Sequence, residues 1–405
     1  MKILLLSHIF PPAIDGGSKV IYKLGQYFES QKHQTLYLSS DCSSTDDFVK
    51  KNPALSREGF RKGFIKLSVY TLLRKPLKLL NLFINQDLLK VLQKGPIFKF
   101  IPFLKATIQI IKFKPDLIIA GPLPTTIILY AQFFKKITKA KLLINSSFHQ
   151  TDSDFHQKPL INALKKADYL WVLTEYEKSY FEKELKVSSN KIILAGNGID
   201  QDFLISPPLS QRRGLRGGFN ILFIGSLSSH KRVDLLIKSF SDIQKNIPLL
   251  SSKEGLGVDL TIAGQKTLFY PQIEKLVKSL DPKIRSKIKF NFSFAQKDLV
   301  KLIDNCTFLV LPSVQESFGL VLIEAWARKK AVITSDIPAL QELVNKSKGG
   351  LTFKTDNQQD LTKKIEYLIK NPKKTEQMGQ SAFNYVKNNY TWNRVGEKIC
   401  QKILS

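Results

Sequence analysis

Cysteine is scarce: Cys42, Cys306 and Cys400 are the only three in 405 residues, and no two form a CxxC pair. That spacing encodes neither a disulfide framework nor a zinc site, and it fits a reducing cytoplasm. Long apolar runs are lacking too, and a mean hydropathy of -0.11 excludes a polytopic membrane protein. The opening MKILLLSHIFPPAIDGG holds too short an apolar run for a secretory leader and passes into a turn, so Lys2 to Ser7 reads as a strand. Acidic residues are few: 34 Asp and Glu stand against 62 Lys and Arg, a formal net charge of +28. That excess calls for an acidic partner, either nucleic acid or an anionic membrane. Repeats and low-complexity tracts are absent.

What is present suffices for two cores, since single cores stop growing near ~250–300 residues and 43% of this chain is hydrophobic. Short apolar runs alternate with helical stretches: ILLLS, QTLYLSS, DLIIAG, KLLINSS, YLWVLT and KIILAG, then FNILFIGS, VDLTIAG, KIKFNF, FLVLPS and AVITS. Runs of this kind suit strands buried on both faces of a parallel sheet. The expected fold is therefore α/β, with two Rossmann-like doubly wound domains. Residues 1–202 form the first, a Pro-, Gly- and Arg-rich linker covers 203–218, and residues 219–388 form the second. The amphipathic end, 389–405, is expected to be a helix crossing back to the first domain.

One insertion stands out. Residues 57–114 carry thirteen basic residues against two acidic, Glu58 and Asp87, interleaved with Phe, Ile and Leu. This is the composition of helices lying on an anionic leaflet, and equally of core helices with solvated lysine faces. Lys99, Lys105 and Lys112 interrupt any spanning segment.

Chemistry concentrates in LVLPSVQESFGLVLIEAWARKK, where a buried strand ends at Pro312 and Ser313 and a helix is expected from Phe318 or Gly319. The amides of Phe318, Gly319, Leu320 and Val321 would face an anion such as a diphosphate, and Gly319 would let it approach the backbone. Glu316 precedes this helix and Glu324 lies within it. Two acceptor-only carboxylates so placed bind separate hydroxyl sets along an extended ligand. Glu324 sits among apolar neighbours, where an unpartnered acid would be costly.

The segment ESFGLVLIE, with its acids eight positions apart, resembles the signature of glycosyltransferase family 4, retaining enzymes of the GT-B fold. PPAIDGGSKVIYKLGQYF is similar to the family's glycine-rich first loop, with Gly16 and Gly17 opening a helix. GSLSSHKRVDLLIKSF resembles its phosphate-binding lysine segment, LAGNGID its asparagine–glycine turn, and ALQELV its later glutamate. The resemblance implies two Rossmann-like domains facing a central cleft and a nucleotide-diphosphate-sugar as donor substrate. No cofactor is implied, and the acceptor would be a glycan or lipid-linked sugar.

By the same resemblance Glu324 holds the donor ribose, Glu316 and the neighbouring Ser317 lie at the transferred sugar, and Lys231 neutralises the diphosphate. His149 stands near the reacting centre, with His156 close by in sequence. Ser226 occupies a position where many members carry arginine, leaving Arg232 or Arg213 as the second cation. Gly264 and the Phe292 to Ala295 segment are expected beside the base. Asp152 and Asp154 spell DSD without a supporting strand end, so no metal is expected. Competing readings are a nucleotide-sugar epimerase on the same plan and a basic nucleic-acid-binding protein, although no nucleic-acid motif is present. The expected location is the cytoplasm, peripheral at the inner membrane face through 57–114.

Overall fold

Short, largely apolar segments of three to seven residues become parallel strands because helices cover both of their faces. A computed structural model describes residues 1–8, 10, 16–40, 64–67, 100–205, 218–250, 257–292 and 296–404. Two compact units result: Met1–Gly198 together with Trp392–Ser405, and Ile199–Thr391.

In the first unit, strands β1 (Lys2–Leu6), β2 (Gln34–Ser40), β3 (Phe64–Leu67), β4 (Leu117–Ala120), β5 (Lys141–Asn145), β6 (Tyr169–Val172) and β7 (Ile192–Leu194) form one sheet in the order β3-β2-β1-β4-β5-β6-β7. All of its pairings are parallel. Helices Gly16–Ser30, Phe100–Phe113, Ile127–Thr138, Lys158–Lys166 and Glu175–Lys183 connect the strands. The terminal helix Trp392–Leu404 packs on Gly16–Ser30, where a Cβ at Gly396 would come within 2.2 Å of the Tyr27 ring.

The second unit repeats the plan with β8 (Gly218–Ile224), β9 (Gly257–Ala263), β10 (Ile288–Asn291), β11 (Phe308–Leu311), β12 (Ala331–Ser335) and β13 (Gly350–Phe353), ordered β10-β9-β8-β11-β12-β13. Strand order therefore reverses between β1 and β4 in one unit and between β8 and β11 in the other. Open α/β sheets bind ligands beyond the carboxyl ends of the strands at such a reversal. A buried ion pair ties the start of this unit to its body. Arg328 Nε and Nη2 meet the Asp304 carboxylate at 2.7 and 2.8 Å, and Nη1 donates to the Phe203 carbonyl at 3.2 Å and to that of Ile205. Phe203 to Ile205, read from sequence as the start of the linker, are thus fastened to the second unit; residues 206–217 lie outside the described set.

Two edge strands depart from expectation. Phe64–Leu67 pairs with β2 in parallel, from Tyr37↔Phe64 to Ser40↔Leu67, inside the segment expected to supply surface helices. Gly350–Phe353 adds β13 in a stretch assigned to no element. Both are only four residues long, too short for periodicity to mark them. The rest of 57–99 lies outside the described residues.

Candidate nucleotide-sugar site

The carboxyl ends of β8 and β11 each lead into a loop that carries expected site residues. After β8, Gly225 packs on Gly264 at the end of β9, where a Cβ on Gly264 would lie 1.7 Å from the Gly225 carbonyl oxygen, so residue 264 must be glycine. The chain then makes a single 3-10 turn, Ser229–Lys231, ending on Arg232 in the left-handed region (φ 50°), before the Val233–Leu250 helix begins. This turn aims Lys231 at the loop following β11. The two loops are stitched together by the Val314 amide, which donates to the His230 carbonyl at 2.9 Å.

Lys231 and Glu316 meet there as an ion pair between Lys231 Nζ and Glu316 Oε1, with side chains 18% and 12% exposed. Ser313 Oγ also donates to Glu316 Oε1, at 3.2 Å. The Ser313 carbonyl in turn accepts from Ser335 Oγ at the end of β12. The two residues expected at separate parts of a ligand are thus adjacent. Ser313 went unremarked in the sequence as a contributor; its place at a strand end directly before the loop was the available signal.

The helix expected from Phe318 or Gly319 spans Leu320–Ala327, with Gly319 as its N-cap at φ 74°. The first-turn amides of Leu320 and Val321 lie beyond the strand end, while Leu322 donates to the Gly319 carbonyl at 2.9 Å. Phe318 is buried beneath the turn, edge-on to Tyr390 at 5.3 Å, which fixes the loop that holds Ser317 and Gly319. Glu324 is buried, at 8% exposure, on a helix whose other inner residues are apolar.

The substitute cation expected at Arg232 is committed elsewhere: its guanidinium pairs with Asp356 and, at 3.3 Å, with Asp234. Ser226 Oγ lies 3.2 Å from Ser228 Oγ, so hydroxyls occupy this position. Arg213 and Ser293 to Ala295 lie outside the described residues, whereas Phe292 stacks on Phe290 and shares Lys266 with Tyr270, the ammonium lying 4.4 Å from each of the latter's ring and the Phe292 ring.

In the first unit, Gly16 begins its helix and Gly17 lies against Pro122 after β4, where an added Cβ would come within 2.5 Å of the proline ring. The buried Ser7 and Ser18 hydroxyls, 2.8 Å apart, join the β1 loop to that helix. His149 follows β5, half-buried, its ring 4.9 Å from that of Phe155. His156 is exposed and bonds the Gln150 carbonyl at 2.7 Å, a local tie that suits a structural role. Sequence reasoning missed Glu177. Its buried carboxylate accepts from Ser146 Oγ at 2.6 Å, the Phe148 amide at 2.8 Å and the Leu173 amide at 2.6 Å, and so fixes the loop that carries His149. No group of His, Cys, Asp and Glu that could hold a metal is found among the described residues.

Residues 210–385 match the family model described as glycosyl transferases group 1. Over 240 residues the chain is 26% identical to an uncharacterized glycosyltransferase of Methanocaldococcus jannaschii, covering 57% of this chain and 58% of that protein. It is 36% identical over 88 residues to the N,N'-diacetylbacillosaminyl-diphospho-undecaprenol alpha-1,3-N-acetylgalactosaminyltransferase of Campylobacter jejuni, 22% of this chain and 23% of that enzyme. The chain therefore matches just over half the length of the first relative and under a quarter of the second. The solved structure of Anabaena HepE in complex with UDP-glucose superposes with a TM-score of 0.73 at 15% identity, over 100% of this chain and 99% of that one. The glycosyl transferases group 1 match thus lies within the second unit, and the two Rossmann-like sheets have the GT-B fold of the structural neighbour.

Proposed function

We propose that this chain is a retaining glycosyltransferase that takes a sugar from a nucleoside-diphosphate-sugar, with UDP as the first nucleotide to test, and passes it to a glycan or lipid-linked acceptor. The observation that carries the reading is the Lys231–Glu316 pair at the β8/β11 strand reversal, beside the Leu320–Ala327 helix that bears Glu324. The family match and the UDP-glucose complex of the structural neighbour support the donor class, and the name of the Campylobacter relative supports a lipid-linked acceptor.

Each residue then has a stated task. In glycosyl transfer, charge grows on the β-phosphate as the nucleoside diphosphate leaves. Lys231 spends one of its three N–H bonds on Glu316 and keeps the others for that oxygen, while the Leu320 and Val321 amides add the positive end of a helix. These groups supply the stabilisation without a metal ion. Glu316 Oε2 accepts a hydroxyl of the departing sugar, and buried Glu324 accepts from the ribose. His149, on the loop braced by Glu177, takes the role near the reacting centre that the family resemblance implies for it, and the acceptor attacks on the face the diphosphate leaves.

The test is release of nucleoside diphosphate from a panel of UDP-, GDP- and ADP-sugars. One donor should be turned over, with Glu324→Gln raising its KM. No turnover of any donor, or equal turnover by wild type and variant, refutes the reading. In the presence of acceptor, the product's anomeric proton coupling should match that of the donor.

A further inference from the structure

The Phe100–Phe113 helix is apolar on two faces, and only one of them is buried against the described residues. Ala106, Thr107 and Ile110 are buried against the first unit. On the other side, Phe100, Ile101, Leu104, Ile108 and Ile111 occupy an arc of about 100° at 3.6 residues per turn, and each is between 47% and 69% exposed. The patch continues onto the neighbouring helix, where Phe133 and Ile137 are also exposed and Phe103 bridges the two helices, its ring 5.6 Å from that of Phe133. It ends at a groove of about 680 Å³ bordered by Ile111, Ile137 and Leu404 and edged by Lys114, Lys139 and Lys141. Asp116, which also lines the groove, accepts from the Lys2 amide at 2.7 Å. A contiguous apolar patch of this kind with a charged rim marks an interaction surface.

We infer that this face is a membrane-docking surface that takes an anionic phospholipid leaflet. Charge decides the occupant. Between Asp87 and Asp152 the sequence holds ten lysines, and Asp116 is the single acid. Lys105, Lys112, Lys114, Lys136 and Lys139 stand exposed on the same two helices or just beyond them. A second copy of the chain would bring this positive rim against itself, whereas acidic headgroups complement it. The 14-residue helix is too short to span a bilayer. It suits an orientation flat in the interface, with Leu104 and Ile108 among the acyl chains and the lysines at the phosphates. The sequence expectation spread this role over 57–114; of that segment the described helix Phe100–Phe113 carries it here, joined by Phe133, Ile137 and Leu404. The inference is independent of the donor site.

Co-sedimentation of the full chain with phosphatidylcholine vesicles, with and without phosphatidylglycerol, tests it. Binding should require phosphatidylglycerol and weaken as salt rises. The combined change Leu104→Gln, Ile108→Gln and Ile111→Gln should lower the bound fraction about tenfold while leaving the thermal melt unchanged. Leu104→Trp gives a readout that does not depend on the triple variant folding: its emission should shift to the blue on anionic vesicles. Equal binding to neutral vesicles, undiminished binding of the triple variant, or an unshifted emission overturns the proposal. So does a wild-type dimer that the same three substitutions disperse, which would assign the face to a second copy.

Discussion

Lys231 and Glu316 form a pair in which folding and chemistry can be separated. Lys231→Met keeps the stem and removes the charge. It leaves Glu316 at 12% exposure with the Ser313 hydroxyl as its remaining donor among the described residues. A largely buried carboxylate stripped of its cation costs several kcal/mol when fully enclosed; the residual exposure and the serine bond bring this to roughly 1–2 kcal/mol. For a unit of this size that is a Tm decrease of about 2–8 °C. Adding Glu316→Gln neutralises the stranded charge, so the double variant should regain most of the lost stability. Activity should behave in the opposite way: Lys231→Met should lower kcat/KM by a factor on the order of 10²–10³ through loss of the leaving-group cation, and the double variant should be no better. Thermal melts and donor turnover on the four proteins of the cycle supply both readouts. Recovery of activity together with stability would refute the argument, since the pair would then be purely structural.

Three further outcomes follow from the second unit. Arg328→Ala should destabilise by roughly 3–5 kcal/mol, because it leaves Asp304 buried and unpaired and frees the Phe203 and Ile205 carbonyls; a melt within 1–2 °C of wild type would contradict this. Gly264→Ala should cost about 3 kcal/mol or more, since the added methyl meets the Gly225 carbonyl oxygen directly; a soluble variant with an unchanged melt would be inconsistent with the close approach. Burial alone would raise the Asp336 carboxyl, but hydrogen bonds from the Thr355 hydroxyl and amide outweigh it and hold the carboxyl below its ordinary value. A depressed pKa contributes stability above the unfolded-state value, lost as pH falls through the folded one. Acid unfolding of Thr355→Val should therefore begin at higher pH than in wild type, and coincident acid transitions would count against the assignment.

Strands with four or more consecutive apolar residues, such as ILLL and FLVL, were legible because burial on both faces accounts for them. The edge strands β3 and β13 were not, since their pairing depends on a neighbour that no local pattern reveals. Glu316 and Glu324 could be read because a turn, a glycine and a buried acid coincide in one short segment. Lys231 was expected at the diphosphate only through the family resemblance, and its contact with Glu316, 85 positions away, arises only when β8 and β11 become neighbours. Arg232 looked available in sequence; the fold brings Asp356 to it from beyond β13, and no spacing rule reports that. Glu177 is the converse case: an ordinary helix-start acid in sequence, it becomes a three-bonded buried carboxylate because β5 and β6 are paired beside it.

The most direct test of the donor-site account is calorimetric titration of UDP into the full chain. Wild type should bind, Lys231→Met and Glu324→Gln should each weaken binding at least about tenfold, near 1.4 kcal/mol, and His149→Ala, assigned to the reacting sugar and not to the nucleotide, should bind as wild type does. Binding that is indifferent to Lys231 and Glu324, or that is lost with His149, would contradict the account.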